Sequence, residues 1–250
     1  MDSDRDIYKR KFVRFSPAVC IGIIQLALFG LFCGYCIPWI SKNISVAIPT
    51  IMCYLTILNT ISLFKISFTD PGMLPLGTHF DYSLFPSLDD AGSPCYIIGS
   101  PCKQFSSKTS QDLVLAIKFC TTCQIWRTAR ASHCKKCNRC IDRLDHHCIW
   151  LNCCIGRCNY RYFMTYISTA AVLGALVSVF SLLKVFSDPS HNFCCVSFHA
   201  ISQSKIAFAV GVIASVISLF PFSLCIFHFM LMMNGETTRE YVSASRLLPD

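Results

Sequence analysis

The stretch CTTCQIWRTARASHCKKCNRCIDRLDHHCIWLNCCIGRC, residues 120–158, sets the interpretation of the whole chain. It holds nine of the eighteen cysteines and three of the seven histidines. The other cysteines are scattered along the chain, so burial of thiols in a core does not explain this density. The clustering instead favours a chemical role, in metal binding or in catalysis.

Four long runs outside this stretch contain no charged residue: 15–41, 43–64, 162–183 and 206–235. Each run exceeds the roughly 20 apolar residues that cross a bilayer core. The chain is also 53% hydrophobic and only 14% charged, below the charge content of about 25% in soluble domains. We therefore predict an all-α integral membrane fold with four transmembrane helices, rather than a soluble bundle of buried helices. The first run is too long for a signal peptide and is interpreted as a retained span.

Positive charge predicts the orientation of the spans. Five basic residues precede the first span and eleven lie between Lys103 and Arg161, whereas each of the two other loops has at most two. The N-terminus, the long loop and the C-terminus are therefore predicted to be cytosolic. The net charge of +8 suits an anionic membrane face and an anionic substrate. No aromatic and basic stripe accompanies it, so no nucleic-acid partner is expected.

Composition divides the chain into six predicted segments. They are a cytosolic leader (1–16), the first two spans (17–66), an irregular cytosolic linker (67–118), a Cys-rich domain (119–161), the last two spans (162–233) and a short cytosolic tail (234–250). The linker contains Asp70-Pro71-Gly72, a turn in which Asp caps its own backbone and Gly permits positive φ. The tail contains Thr237-Thr238-Arg239-Glu240, whose Thr-x2-Glu spacing fits a capping box at a helix start.

The cysteine spacing predicts two zinc sites. Cys120-x2-Cys123 and Cys134-x2-Cys137 form chelate loops tight enough to place two thiolates on one tetrahedral ion. The other candidate ligands in the stretch are His133, Cys140, His146, His147, Cys148, Cys153, Cys154 and Cys158. Spacing alone does not assign them to one ion or the other. Two bound ions would hold rigid a cytosolic, zinc-stapled domain that we expect to have little regular structure and no apolar core of its own.

The groups left over by two zinc ions indicate a reactive thiol. Asp145, His146 and Cys148 are the residue types that activate a thiol nucleophile. The imidazole would accept the thiol proton and the carboxylate would fix the imidazole tautomer. Nearby cations favour the thiolate form of a cysteine.

The block Asp145-His146-His147-Cys148, in a Cys-rich loop between the second and third spans, resembles the signature of the DHHC family of protein S-acyltransferases. Asp70-Pro71-Gly72 resembles the family's DPG motif, and Thr237-Thr238-Arg239-Glu240 resembles its TTxE motif, in the same order and topology. The resemblance implies a ping-pong reaction. A long-chain fatty acyl group, palmitoyl, would pass from acyl-CoA to an enzyme cysteine and then to cysteine thiols of proteins.

The resemblance also implies roles for single residues. Cys148 would carry the acyl group, His146 would be the general base and Asp145 would orient it. Thr238 would reach Asp145, and the acyl tail would lie between the spans, where the third span is rich in small residues. The two implied zinc-ligand sets are Cys120, Cys123, His133 and Cys140, and Cys134, Cys137, His147 and Cys154.

The residues predicted to contact the acyl donor are basic, aromatic or hydroxylic: Arg127, Arg130, Lys135, Lys136, Trp150 and Thr238. Coenzyme A carries phosphates that basic side chains bind, and a solvated basic face is the alternative for the cations. Trp150 is interpreted as a wall of the active-site mouth, with simple packing or an anchor at the membrane interface as its alternatives. Family members commonly have other residues where this chain has Thr128, Ile149 and Cys153, and neither Cys153 nor Cys158 receives a role.

The sequence thus predicts a multi-pass protein S-palmitoyltransferase with two structural Zn²⁺ ions and palmitoyl-CoA as its substrate. The expected partners are the lipid bilayer and proteins with membrane-proximal cysteines, and an accessory subunit is left open. The expected location is the Golgi, the endoplasmic reticulum, another endomembrane or the plasma membrane, with a cytosolic active site. A zinc-binding membrane adaptor without catalysis and an acyl-CoA thioesterase are the alternatives.

Overall fold

A computed structural model describes residues 16–77, 95–97, 100–106, 114–187 and 205–245. Almost all of the predicted leader and part of the predicted linker lie outside these residues. The chain divides into two compact units. The helical unit comprises residues 1–68, 150–152 and 161–236, and the cysteine unit comprises residues 69–149, 153–160 and 237–250.

Four helices in the described part are long and apolar enough to cross a membrane, which confirms the predicted number of spans. They are α1 (Ser16–Tyr35), α3 (Ala47–Phe68), α4 (Tyr160–Phe186) and α5 (Lys205–Asn234), with the short α2 (Ile37–Asn43) after α1. The first predicted run, 15–41, is divided between α1 and α2. Pro38 lies in the first turn of α2. Proline lacks an N–H, so it starts a helix more readily than it continues one.

A buried amide links three helices of the helical unit. Asn59 of α3 is fully buried. Its Oδ1 accepts from Gln25 Nε2 of α1 at 2.5 Å, and its Nδ2 donates to Tyr166 O and Thr169 Oγ1 of α4 at 2.8 and 2.7 Å. Because a polar group within apolar surroundings must find its partners inside the protein, this set of bonds fixes the register of the three helices.

Helices α4 and α5 approach closely where both carry small residues. A Cβ added to Gly174 would lie 2.4 Å from Ser218 Cβ, and one added to Gly211 would lie 3.1 Å from Ser181 Cβ. Small residues let helix backbones pack at short range in a membrane. At these positions the small residues of the third span therefore serve helix packing.

The cysteine unit is built mainly of short antiparallel ladders. The strands are β1 (Cys95–Ile97), β2 (Ser100–Ser106), β3 (Val114–Cys120), β4 (Ile125–Trp126), β5 (Ser132–Cys134), β6 (Arg139–Ile141), β7 (His146–Cys148) and β8 (Cys153–Ile155). Strands β1 to β4 form one sheet, β5 pairs with β6, and β7 pairs with β8. The helix α6 (Thr238–Ser245) follows α5 in the chain.

These strands correct two expectations. The linker is not irregular throughout, since β1, β2 and most of β3 fall within it, and the Cys-rich domain has regular hairpins. The chain is therefore mainly helical rather than all-α. The strands have only two to seven residues, and cysteine and polar residues dominate β2, β5 and β7, so these three lack the apolar alternation that reveals a longer strand.

The Asp70-Pro71-Gly72 turn forms as predicted. Asp70 Oδ1 accepts from the backbone N–H groups of Gly72 and Met73, each at 2.7 Å, and Gly72 adopts a φ of 102°. The chain after the turn lies along β6, where Leu74 N donates to Cys140 O at 2.9 Å. The turn thereby joins the hairpins of the cysteine unit.

Candidate active site and metal centres

The first Cys/His cluster consists of Cys120, Cys123, His133 and Cys140, whose ligand atoms all lie within 4.8 Å of one another. The first two residues come from the β3–β4 hairpin, and His133 faces Cys140 across β5–β6. His133 Nδ1 lies 3.5, 3.4 and 3.9 Å from the three Sγ atoms. A tetrahedral zinc ion with bonds of about 2.3 Å to sulfur and 2.0 Å to nitrogen separates these atoms by roughly 3.5 Å. The four groups therefore fit one metal ion.

The second cluster repeats this construction one hairpin later. It consists of Cys134, Cys137, His147 and Cys154, with His147 facing Cys154 across β7–β8. His147 Nδ1 lies 3.6, 3.4 and 3.6 Å from the Sγ atoms of Cys134, Cys137 and Cys154. The structure thus brings together the two ligand sets that the family resemblance implies.

The thiols in each cluster crowd one another. Hydrogen bonds with Cys134 and Cys137, followed by burial, raise the pKa of Cys154 far above its ordinary value. In the other cluster, burial and then the neighbouring Cys120 raise the pKa of Cys140. Adjacent thiolates repel, so all the cysteines of a cluster can ionise together only with a cation among them. The donor set and its electrostatics both suit a divalent metal ion.

The two clusters belong to a repeat of 14 residues that sequence inspection missed. The repeat aligns three cysteines that each end the first strand of a hairpin, Cys120, Cys134 and Cys148. The last turn residue of each hairpin has a positive φ: 55° at Gln124, 51° at Asn138 and 49° at Asn152. Three positions after its first cysteine, the third repeat has Leu151 in place of the second chelating cysteine. Cys148 therefore corresponds to the first cluster cysteine of the other two repeats, Cys120 and Cys134. Its own repeat lacks the second cluster cysteine.

The alternation of β7 separates the second Cys/His cluster from the other two side chains of the strand. Successive side chains of a strand point to opposite faces, so His147 faces the cluster while His146 and Cys148 share the other face. His146 Nδ1 donates to Asp145 Oδ2 at 2.6 Å, and Cys148 lies near enough to His146 to help raise the pKa of the imidazole. Asp145, His146 and Cys148 thus form one interacting series.

The pKa values of His146 and Asp145 are shifted in opposite directions. Burial alone would lower the pKa of His146, but the hydrogen bonds with Asp145 and Cys148 outweigh it and raise the pKa to about 9. Burial would likewise raise the pKa of Asp145, but hydrogen bonds from His146 and Thr238 hold it below its usual value. An ionised carboxylate beside an imidazole of raised basicity is the arrangement that takes a proton from a thiol.

The start of α6 also contacts Asp145. The Thr238 N–H donates to Asp145 Oδ1 and the Thr238 hydroxyl donates to Asp145 Oδ2, both at 2.8 Å. Thr237 and Glu240 form the expected capping box, with Thr237 N donating to Glu240 Oε2 at 2.8 Å and Glu240 N donating to Thr237 Oγ1 at 3.2 Å. The Asp145 carboxylate therefore accepts from both α6 and His146.

Comparison with known proteins agrees with this geometry. Residues 115–245, more than half of the chain, match the family model described as DHHC palmitoyltransferase. This chain belongs to the DHHC palmitoyltransferase family.

Curated relatives of this DHHC family member include fungal and human proteins. It is 35% identical over 234 residues to palmitoyltransferase erf2 of Emericella nidulans. The aligned region covers 91% of this chain and 38% of the relative. It is 33% identical to palmitoyltransferase erf2 of Schizosaccharomyces pombe, over 89% of this chain and 62% of the relative. It is 30% identical to human palmitoyltransferase ZDHHC18, over 89% and 56% respectively. The chain therefore spans less than two thirds of the length of each of these relatives.

The other residues predicted to contact the acyl donor have varied surroundings in this DHHC chain. Lys135 and Lys136 are exposed in the β5–β6 turn. Arg127 Nε is buried without a hydrogen-bond partner among the described residues. Trp150 is 58% exposed and meets Phe220 edge to face within the helical unit. Their predicted contacts with coenzyme A stay predictions.

Arg130 has a partner that the sequence did not suggest. It makes a two-point ion pair with Glu240, with Nε to Oε1 at 2.7 Å and Nη2 to Oε2 at 2.6 Å. No local spacing joins two residues 110 positions apart. Cys153, which has no predicted role, faces Cys148 across β7–β8, and Cys158 is exposed.

Proposed function

We propose that this protein is a membrane-embedded S-acyltransferase that transfers a palmitoyl group from acyl-CoA to cysteine thiols of proteins. The observation that carries the proposal is the hydrogen bond from His146 to Asp145, together with Cys148 on the same face of β7 as His146. Membership of the DHHC palmitoyltransferase family supports it.

In the first stage, the Cys148 thiol gives its proton to His146, and the sulfur attacks the carbonyl carbon of the acyl-CoA thioester. Since Asp145 engages His146 Nδ1, Nε2 is the nitrogen that receives this proton. The bond from the carbonyl carbon to the coenzyme A sulfur breaks, and the departing thiolate takes the proton back from His146. Cys148 is left as an acyl thioester.

In the second stage, the thiol of a substrate cysteine gives its proton to His146 and attacks the acyl carbonyl. The bond to Cys148 Sγ breaks, and the Cys148 thiolate recovers the proton. Throughout, Asp145 keeps the ring of His146 in one orientation and balances its charge. The same base therefore serves both stages.

We assign both metal positions to structural Zn²⁺, because three thiolates and one imidazole in a closed set of four are typical of structural zinc. The ligands would be Cys120, Cys123, His133 and Cys140 for one ion and Cys134, Cys137, His147 and Cys154 for the other. Bound zinc would tie adjacent hairpins together. It would thereby hold β7, and with it His146 and Cys148, in place.

The surroundings proposed for the reaction follow from the spans and the charge pattern. We infer that the protein lies in an endomembrane or in the plasma membrane, with the cysteine unit on the cytosolic side where acyl-CoA is available. The four membrane-capable helices and the excess of basic residues in the long loop support this inference. Proteins with membrane-proximal cysteines are the proposed acceptors, and an accessory subunit is a further proposed partner. Exposed Lys135 and Lys136 are the proposed contacts for coenzyme A phosphates.

The proposal is tested by incubating the purified full chain with a clickable palmitoyl-CoA analogue and measuring the acyl label that hydroxylamine removes. We expect label on the wild type, none on Cys148→Ser, and unchanged label on Cys158→Ser, a matched change at an exposed thiol of the same unit. Equal labelling of Cys148→Ser and wild type would contradict the proposed nucleophile.

A second measurement separates the two alternatives. A peptide with a single cysteine is added to the labelled protein, and acyl transfer is compared with release of free fatty acid. Release to water without transfer would indicate a thioesterase. A chain that binds two metal ions yet takes no label would indicate an adaptor.

A further inference from the structure

We propose that Arg130 is a positioning residue for the acylation step, acting through Glu240 and the start of α6 to hold Asp145 against His146. This inference rests on the proposed function. It assigns Arg130 to the alignment of the catalytic series, whereas the sequence suggested a contact with coenzyme A.

The first link is the ion pair itself. Arg130 presents Nε and Nη2 to the two carboxylate oxygens of Glu240 at 2.7 and 2.6 Å. A planar guanidinium matched to a carboxylate in this way fixes the direction as well as the distance of its partner. Hydrogen bonding from Arg130 also lowers the pKa of Glu240.

The second link is the double role of Glu240. The Oε2 atom that accepts from Arg130 also accepts the backbone N–H of Thr237, and Glu240 N donates to the Thr237 hydroxyl. Glu240 is bonded both to Arg130 and to Thr237, so the ion pair constrains the first turn of α6 through the capping box.

The third link is Thr238, the next residue along. Its N–H and hydroxyl hold the two oxygens of Asp145 at 2.8 Å each, and Asp145 Oδ2 holds His146 Nδ1 at 2.6 Å. Movement of the first turn of α6 would tilt the carboxylate and with it the imidazole. Small displacements of catalytic groups lower rates by up to about 100-fold.

The solvent exposure of both side chains indicates that the Arg130–Glu240 pair contributes more to the alignment of the site than to the stability of the fold. The side chains of Arg130 and Glu240 are 35% and 37% exposed, and ion pairs this accessible to water contribute little to folding stability. The Arg130–Glu240 pair has near-ideal geometry but contributes little to folding stability. Its effect is therefore to orient the first turn of α6.

The test is a double-mutant cycle on the full chain in lipid nanodiscs, with single-turnover acylation of Cys148 measured against palmitoyl-CoA concentration. The variants are Arg130→Gln, Glu240→Gln and the double variant. Glutamine at 240 keeps an acceptor for Thr237 N–H and removes only the charge. Arg157→Gln is the control, because the ion pair of Arg157 with Asp142, at 3.1 Å in the same unit, involves no residue of α6.

We expect each single variant to lower the maximal acylation rate about tenfold while the half-saturating palmitoyl-CoA concentration stays within about twofold. The double variant should be no slower than the slower single variant, because both changes break one linkage. Arg130→Lys should restore only part of the rate, since lysine keeps the charge but not the two-point geometry. Arg157→Gln should match the wild type.

Three results would overturn the proposal. One is a raised half-saturating concentration with an unchanged maximal rate in Arg130→Gln, which would place Arg130 on coenzyme A. Another is a double variant whose loss equals the product of the single losses. The third is an unchanged maximal rate in Glu240→Gln, which decides the matter even where an Arg130 variant does not fold. If the wild type itself shows no acylation of Cys148, that result would instead count against the proposed function.

Discussion

Thr238 holds both oxygens of the Asp145 carboxylate, with its backbone N–H on Oδ1 and its hydroxyl on Oδ2, each at 2.8 Å. The two residues lie 93 positions apart, and the Asp145 side chain is 1% exposed. Asp145 Oδ2 also pairs with His146 Nδ1 at 2.6 Å. The orientation of the imidazole therefore depends on a residue that follows the last predicted span.

Replacing Thr238 with valine should lower the single-turnover acylation rate about tenfold. Valine keeps the shape and the backbone hydrogen bond but removes the hydroxyl that donates to Asp145 Oδ2. A hydrogen bond to a charged group is worth about 1.5–3 kcal/mol, and each 1.4 kcal/mol of barrier corresponds to about tenfold in rate. The rate is measured as the growth of hydroxylamine-sensitive label on Cys148.

Thr238→Ser is the matched control, because serine retains the donor hydroxyl. It should acylate within about threefold of the wild type, a difference below about 1 kcal/mol. Equal rates for the valine and serine variants would show that the hydroxyl contact does not support the reaction.

Gly156→Ala should disrupt the contact between the DPG turn and the hairpins. A Cβ at this position would lie 2.5 Å from Pro71 O and 2.7 Å from Ile141 Cγ2, and backbone carbonyls yield little. Overpacking of this kind destabilises a protein by about 1–3 kcal/mol. Limited proteolysis should cut the chain near residue 70 faster in this variant than in the wild type.

Gly30→Ala provides the control for that change, since a Cβ on Gly30 meets nothing within 4 Å. It should leave the proteolytic pattern as it is in the wild type. If Gly156→Ala is as resistant as Gly30→Ala, the close approach of the turn to Gly156 does not constrain the cysteine unit.

Metal analysis should find about two zinc ions per chain, by the rule of four ligands for each structural ion. Cys137→Ser should lose about one of them, because Cys137 Sγ lies 3.4 Å from His147 Nδ1 and 3.3 Å from Cys154 Sγ within one cluster. Cys158→Ser, at an exposed thiol outside both clusters, should retain both. A wild-type content of one or none would reject the ligand sets.

Asn59→Leu should destabilise the helical unit. The change leaves the buried Thr169 hydroxyl and the Gln25 amide without their shared partner. Interhelical hydrogen bonds in membranes contribute about 0.6–2 kcal/mol each, so thermal inactivation in detergent should occur at a lower temperature. Thr50→Ala is the control on the same helix, because the exposed Thr50 hydroxyl donates to the backbone at Val46 O, just before the helix, and joins no second helix through this bond. An equal effect of the two variants would argue against the network.

Local features were predictable from the sequence because neighbouring residues make them. The Asp70 turn and the Thr237–Glu240 capping box each depend on contacts within four residues. The four spans depend only on uninterrupted apolar length. The hairpins β5–β6 and β7–β8 were missed because their strands have three residues each and carry cysteine and histidine in place of an apolar pattern.

By itself, the sequence determined four membrane-capable helices, two sets of metal-ligand residue types and a thiol beside a histidine and an aspartate. Only the tertiary structure decided that Arg130 pairs with Glu240, and only it gave the geometry by which Thr238 holds both oxygens of Asp145, a contact that the family resemblance implied. The physical reason is separation along the chain. Partners 93 and 110 residues apart meet because of the path of the folded chain, and residue spacing does not encode that path.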